Sequence, residues 1–141
     1  MRLGTHLYFW LLYGFNVFQI NLVKYLMESS ELNRVSLASQ IQLDDLALIK
    51  KKGFETIINN RPDNEVPNQP SDEEISVRAR EQGLSYFYIP IYPSGISAEN
   101  IEETIIALEQ TQGPVLAFCR SGTRSGFLLQ ILKKELEQNE S

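Results

Sequence analysis

One stretch of the chain is apolar at every position, Val115-Leu116-Ala117-Phe118, and it lies between a helix stop and a segment with helical spacing. A strand without polar positions must be covered on both faces, which is typical of the centre of a parallel sheet. Parallel neighbours need long crossover connections, and helices usually supply them. The stretch therefore predicts an α/β domain in which helices flank a central sheet.

The rest of the chain from residue 34 onward alternates short apolar runs with amphipathic segments, as such a fold requires. Strands are predicted at 34–37, 56–58, 86–91 and 115–118, and helices at 44–52, 71–83, 97–113 and after 125. Ser71 has capping-box spacing to Glu74, and Pro90 indicates that strand pairing ends close to it. We expect a mostly parallel sheet whose ligands bind beyond the carboxyl ends of the strands.

Composition limits the classes of function. The length of 141 residues suits one domain, and the formal net charge of -5 disfavours nonspecific binding to nucleic acid or anionic lipid. One histidine, His6, and one cysteine, Cys119, provide neither a His/Cys zinc site nor an internal disulfide. We therefore expect no metal, no cofactor and no nucleic-acid partner, and an unpaired cysteine suits the cytoplasm.

Residues 1–27 form a hydrophobic leader that differs from the domain predicted at 28–141. Residues 3–23 carry no formal charge and are long enough to cross a bilayer as a helix, although polar residues interrupt them. Three alternatives stay open: an N-terminal hydrophobic helix that tethers the domain to a membrane, an upstream extension ahead of a true start at Met27, or a helix packed on the domain or a partner.

The segment that carries chemistry is Cys119-Arg120-Ser121-Gly122-Thr123-Arg124-Ser125, between the buried strand and the last helix. Gly122 permits backbone angles that turn successive N–H groups inward around an anion, and the helix adds free N–H donors. Arg124 can hold an oxyanion with two parallel hydrogen bonds, and Ser125 can donate to the thiolate or a leaving group. A thiol in this positive field ionises readily, so Cys119 is the predicted nucleophile and Arg124 its catalytic partner.

The other polar residues near this loop are candidates for substrate binding. Arg61 is included because it directly follows a predicted strand, at the end where ligands bind in parallel sheets. If Cys119 were only a small buried side chain, the arginines, the glycine and the hydroxyls around it would have no explanation. The predicted substrate-binding residues are Arg120, Ser121, Gly122, Thr123, Ser125 and Arg61.

Four segments together resemble the phosphatase-like domain of beta-lactamase hydrolase-like proteins: residues 53–62, 71–75, 88–91 and 119–125. The likeness extends over about residues 33 to 136, and it implies a fold similar to that of dual-specificity, cysteine-dependent phosphatases. In some relatives this domain is fused to a metal-binding hydrolase domain involved in persulfide oxidation. A chain of 141 residues with one histidine is not expected to include that second domain.

The resemblance to cysteine phosphatases is incomplete at two points. Those enzymes have five residues between nucleophile and arginine, whereas four separate Cys119 from Arg124, and this shorter loop resembles that of rhodanese sulfurtransferases. The segment 92–97, which corresponds to the loop with the general-acid aspartate, holds no carboxylate. Unless Asp63 or Glu65 reaches over as the general acid, we expect slow phosphatase chemistry.

The sequence thus predicts a cysteine-dependent phosphatase-like hydrolase that acts on a small anionic substrate or a phosphorylated partner. The first alternative is a rhodanese-like sulfurtransferase, in which Cys119 carries sulfane sulfur as a persulfide and exchanges it with a persulfidated partner. The second is a noncatalytic anion-binding module. In each case the expected location is cytoplasmic, with tethering to a membrane through residues 3–23 as the alternative.

Overall fold

The computed structural model describes residues 27–140, so the predicted leader, apart from Met27, lies outside the described residues. The predicted N-terminal hydrophobic helix belongs to that part of the chain. Within residues 27–140, no helix combines the length and the apolar character that crossing a membrane requires.

The described residues form four strands and four α-helices, after a short 3-10 helix at Ser29–Arg34 that the sequence patterns did not predict. The strands are β1 (Val35–Ala38), β2 (Thr56–Asn59), β3 (Ser85–Tyr88) and β4 (Val115–Phe118). The helices are α1 (Asp45–Lys51), α2 (Asp72–Glu81), α3 (Ala98–Glu109) and α4 (Thr123–Glu140). The predicted order of strands and helices is therefore confirmed.

All strand pairs in the sheet are parallel, and the strand order is β1-β4-β2-β3. The two central strands, β4 and β2, are buried at every position, as the apolar run at 115–118 predicted. Asn59 of β2 is in register with Phe118 of β4. The chain segments that follow these two residues therefore leave the sheet side by side at its carboxyl edge.

Helices cover both faces of the sheet. Successive strand residues point to opposite sides, so the apolar residues of the central strands pack against helices on each face. On one face Ile58 packs in a cluster with residues of α3 and α4, among them Leu108 and Leu132. On the other face Ile57 and Phe118 pack with residues of α1 and α2. Phe118 has no exposed surface. The last residue of β4 is therefore fixed within the core.

Side chains satisfy backbone groups at the start of α2 and just beyond the end of α3. The predicted capping box of α2 is confirmed, since the Ser71 hydroxyl accepts the Glu74 N–H at 3.1 Å and the Glu74 carboxylate accepts the Ser71 N–H at 3.0 Å. Beyond the end of α3, the Arg34 guanidinium donates to the carbonyls of Thr111 and Gly113, each at 3.0 Å. This contact joins the start of β1 to the turn that leads into β4.

Candidate active site

The loop 119–125 starts directly at the carboxyl edge of the sheet. The Asn60 N–H donates to the Phe118 carbonyl at 2.8 Å, which extends the pairing of β2 with β4 up to Cys119. The last helix begins at Thr123, earlier than predicted, because the Gly126 N–H already bonds to the Gly122 carbonyl at 2.9 Å. The first turn of α4, whose N–H groups have no partner within the helix, therefore belongs to the loop itself.

The Cys119 sulfur lies at the floor of this loop, with the residue fully buried. The Gly122 N–H donates to Sγ at 3.1 Å. Burial raises the pKa of the Cys119 thiol, but hydrogen bonds from the N–H groups of Ser125, Arg124 and Gly122, together with the adjacent Ser125 side chain, outweigh burial and hold the pKa below its ordinary value. The loop thus stabilises a sulfur anion through backbone donors.

We expect Cys119 to ionise at a lower pH than a free cysteine, whose pKa is about 8.5. The measurement is the ultraviolet absorbance of the thiolate as a function of pH, with Cys119→Ser as the blank. Since the chain has one cysteine, the difference belongs to Cys119 alone. A midpoint at or above about 8.5 would contradict the expectation, because it would mean that burial outweighs the N–H donors.

Arg124 points across the carboxyl edge to a carboxylate. Its Nη1 donates to Glu65 Oε2 at 2.7 Å and its Nη2 donates to Glu65 Oε1 at 2.9 Å, while Nη1 also donates to the Ile91 carbonyl at 2.9 Å. The same Oε1 accepts a hydrogen bond from Arg61 Nε at 2.9 Å. Glu65 therefore bonds to both arginines that the sequence predicted for the site, Arg61 and Arg124, and the three side chains form one ion-pair group.

This group fixes the charge state of Glu65. Hydrogen bonds from Arg124, only partly opposed by burial and reinforced by Arg61, lower the pKa of Glu65 to about 2. The bonds to Glu65 in turn raise the pKa of Arg124. Arg61 is 4% exposed, and its Nη1 donates to Gln40 Oε1 at 2.9 Å, so this arginine faces protein and not solvent. At neutral pH Glu65 is therefore a carboxylate paired with the Arg124 guanidinium.

The loop that carries Arg61 and Glu65, residues 60–71, is held in place by hydrogen bonds of its backbone and of Asp63. The Glu65 N–H donates to Gln69 Oε1 at 3.1 Å, and the Asp63 N–H donates to the Tyr88 hydroxyl at 3.0 Å. The Asp63 carboxylate accepts the Asp72 N–H at 2.8 Å, at the first turn of α2. Asp63 is therefore turned toward a helix start, whereas Glu65 is turned toward Arg124.

The remaining predicted residues of the loop fall into two groups. Arg120, Ser121 and Thr123 are exposed, and the Ser121 and Thr123 hydroxyls form a hydrogen bond of 2.9 Å at the rim. Ser125 is 2% exposed, and its hydroxyl donates to the Asn60 side-chain carbonyl at 2.8 Å. The structure thus brings Ser125 next to Cys119 and places Arg120, Ser121 and Thr123 at the surface of the loop.

Sequence reasoning missed two polar residues at this site. Asn60 connects the loop to the sheet, because its Nδ2 donates to the Ile89 carbonyl at 2.8 Å while its Oδ1 accepts from Ser125. The position of Asn60 directly after a buried strand is the same signal that singled out Arg61, so it could have been found. Gln40 accepts from Arg61 Nη1 but lies 21 positions before it, after the partly exposed strand β1. No buried apolar run precedes Gln40, so the sequence offered no comparable signal for it.

Comparison with known proteins identifies close sequence relatives. Residues 30–135 match the family model for the phosphatase-like domain of beta-lactamase hydrolase-like protein. A beta-lactamase hydrolase-like protein of Xylella fastidiosa (strain Temecula1) is 36% identical over 92 residues, which are 65% of this chain and 21% of that protein. One from Agrobacterium fabrum is 33% identical over 104 residues, 74% of this chain and 24% of that protein. The chain thus spans about a fifth to a quarter of these relatives.

Solved structures show the same fold. The crystal structure of a phosphatase candidate from Neisseria meningitidis is 26% identical, with a TM-score of 0.61 over 76% of this chain and 84% of that one. A phosphatase candidate from Shewanella putrefaciens is 20% identical, with a TM-score of 0.66 over 77% of this chain and 71% of that one. The parallel sheet with flanking helices is therefore the architecture that these proteins share.

Proposed function

The chain belongs to the family of phosphatase-like domains of beta-lactamase hydrolase-like proteins, and from this membership we propose that it is a cysteine-dependent phosphatase-like hydrolase with Cys119 as its nucleophile. One observation carries the proposal: the Cys119 sulfur accepts a hydrogen bond from the Gly122 N–H at 3.1 Å, next to the start of α4. The N–H donors there lower the pKa of the thiol and so favour the thiolate. Cysteine needs this activation, because the thiolate is the nucleophile.

In the proposed reaction the Cys119 thiolate attacks the phosphorus of a phosphate monoester. A sulfur–phosphorus bond forms, and the bond from phosphorus to the ester oxygen breaks, with its electron pair leaving on that oxygen. The Arg124 guanidinium and the N–H groups of the loop stabilise the charge on the other oxygens. Water then attacks phosphorus, which releases inorganic phosphate and restores the thiolate while the proton goes to solvent.

Protonation of the leaving group decides which esters react. The two predicted candidates for a general acid are Glu65 and Asp63, but Glu65 is ionised between two arginines and Asp63 bonds to the start of α2. The contacts favour a positioning role for Glu65 over proton donation. A missing general acid costs a factor of about 10² to 10⁴. Aryl esters are therefore the expected substrates, because a phenolate is a much weaker base than an alkoxide and leaves more readily without a proton donor.

We propose that a substrate reaches the buried sulfur by displacing the exposed rim of the loop. The Ser121 and Thr123 side chains are exposed there and bond to each other at 2.9 Å. A hydrogen bond of this kind contributes about 1 kcal/mol, so displacement of this rim by a substrate costs little.

Sulfur transfer is the second candidate, and the loop length is the observation that favours it. Four residues separate Cys119 from Arg124, and a shorter ring of donors suits one sulfur atom better than a group with four oxygens. In this reaction the thiolate attacks the sulfane sulfur of thiosulfate, the sulfur–sulfur bond breaks, and sulfite leaves with the electron pair. The persulfide then passes its outer sulfur to cyanide, which gives thiocyanate and the thiolate.

Parallel assays test the two candidates on the same purified protein. One contains an aryl phosphate, and the other contains thiosulfate with cyanide. Phosphate release that is lost in Cys119→Ser supports the hydrolase, whereas thiocyanate formation without phosphate release overturns it in favour of sulfur transfer. Anion binding without either product would leave a noncatalytic module. Equal unfolding midpoints for the wild type and Cys119→Ser would show that the substitution changes the chemistry and leaves the fold intact.

A further inference from the structure

An apolar groove lies directly beside the candidate active site. It runs between the segment after β3 and the outer face of α4, and its volume is about 530 Å³, within the range of small-molecule sites. Tyr92 and Phe127 line it and are each 56% exposed. The other apolar lining residues are Ile91, Pro93, Ile96 and Ile131.

The exposed side of α4 provides one wall of this groove. Phe127 and Ile131 are four residues apart and therefore neighbours on the helix surface, whereas Leu128 and Leu132 are buried in the core. Ile131 is 36% exposed. Helix α4 thus has two apolar faces. One face packs in the core, and the face toward the groove is exposed and can contact a ligand.

The groove and the loop 119–125 share one residue, Arg124. Arg124 lines the groove, and among the described residues that line it no other is charged. The same guanidinium donates to the Ile91 carbonyl at 2.9 Å, which fixes it at this end. A ligand that fits both parts has an anionic head at the loop 119–125 and an apolar body against Tyr92 and Phe127.

We propose that this groove binds the aryl group of a small aryl phosphate while the loop 119–125 holds its phosphate. The inference rests on the proposed hydrolase and specifies its substrate class. A planar ring is favoured because two of the walls are aromatic side chains, which contact other rings at their faces and edges. Aryl phosphates are also the esters whose leaving groups depend least on a general acid, because phenolates are weaker bases than alkoxides.

Binding to the inactive Cys119→Ser chain tests this inference without turnover. Isothermal titration compares phenyl phosphate with methyl phosphate, which has the same phosphate but no ring. We expect phenyl phosphate to bind about ten-fold more tightly, an advantage typical of one aromatic group in an apolar site. Phe127→Ala in the same background is expected to remove most of this advantage and to leave the affinity for methyl phosphate unchanged.

Two further variants make the test specific. Tyr92→Ala removes the opposite wall and is expected to give the same loss, which keeps the test informative if Phe127→Ala does not fold. Leu48→Ala is the matched control, because Leu48 is 51% exposed on α1, across the sheet from the groove. It is expected to change neither affinity.

The outcomes separate the two proposals. If neither phosphate binds, the proposed phosphatase-like function fails. If both bind with equal affinity, the hydrolase stands and the aryl site is overturned; residues 1–26 as occupants of the groove would give this result. The aryl site is overturned as well if phenyl phosphate binds more tightly but Phe127→Ala and Tyr92→Ala leave that advantage unchanged.

Discussion

Replacing Glu65 with alanine is expected to lower both kcat and the free energy of unfolding. The substitution leaves Arg61, 4% exposed, without the carboxylate that its Nε contacts at 2.9 Å. Removal of one partner from a buried ion pair typically costs about 3–5 kcal/mol, and the 18% exposure of the Glu65 side chain places the expected loss near the lower value. Arg124 loses its orientation as well, and such misplacement typically lowers kcat about 100-fold.

A second ion pair of the same chain provides the control for Glu65→Ala. Lys50 and Glu55 are 3.0 Å apart, but their side chains are 34% and 51% exposed. Pairs of this kind contribute about 0–1 kcal/mol because water and salt screen them. Glu55→Ala is therefore expected to leave kcat unchanged and to alter the unfolding free energy little. Equal effects of the two substitutions would contradict the role assigned to Glu65.

The pH dependence of stability gives an independent readout of the same contact. The pKa of Glu65 in the folded chain is about 2, below its ordinary value of 4.5. A lowered carboxyl pKa stabilises the fold above the ordinary pKa, and that contribution is lost as the pH falls toward 2. Urea unfolding of the wild type and Glu65→Ala should therefore differ most near neutral pH and converge in acid.

A double-mutant cycle tests whether Glu65 acts through Arg124. If its effect on turnover is to orient that guanidinium, the double variant Glu65→Ala/Arg124→Ala has the same kcat as Arg124→Ala alone. A purely structural role would instead lower kcat further in the double variant. KM for the aryl phosphate should change less than kcat, since Arg124 is expected to act mainly on the transition state.

The second large effect is expected for Gly122→Ala. Gly122 has a φ of +92°, and a Cβ there would lie 3.3 Å from the Ala38 carbonyl oxygen. A side chain in this backbone conformation typically costs about 1–3 kcal/mol. Because the Gly122 N–H donates to the Cys119 sulfur, a shift of the loop also removes a donor from the thiolate. The N–H groups of the loop are also proposed to stabilise the phosphate oxygens in the transition state, and loss of one donor of that kind typically lowers kcat about 10² to 10³-fold.

Gly126, four residues further along, is the matched control. It lies in α4, and a Cβ there would meet Leu37 Cδ1 at 3.5 Å, an ordinary contact. Alanine within a helix stabilises by about 0.5–1 kcal/mol relative to glycine. Gly126→Ala is therefore expected to raise the unfolding midpoint and Gly122→Ala to lower it. The same loss in both variants would show that the strain at Gly122 is not the cause.

Local sequence patterns were sufficient to predict the fold. The apolar run at 115–118 and the capping box at Ser71 each depend on neighbouring residues, and each corresponds to an observed element. The strand predicted at 86–91 is shorter, since β3 ends at Tyr88 and the chain turns away before Pro90. The start of α4 at Thr123 was also missed, because the turn at Gly122 already closes the first helical bond.

The contacts of the site could be predicted only in part. The loop 119–125 was evident because its residues are consecutive and follow a buried strand. The pairing of Arg124 with Glu65 spans 59 positions and depends on how two loops meet at the sheet edge. Nothing in the sequence distinguished Glu65 from Asp63, yet one contacts Arg124 and the other the start of α2. The groove was missed for the same reason, since its walls are distant in sequence.

The loop 60–71 has a consequence for ligand affinity. Because its backbone is tied to Gln69 and Tyr88, and its arginine to Glu65, the conformational entropy of these residues is lost when the chain folds. In the proposed reaction, an arriving anion would therefore not have to order the Glu65 carboxylate that positions Arg124. Preorganised sites bind more tightly than their contact area alone would indicate, so we expect little of the binding free energy of a phosphate ester to be lost in ordering this loop.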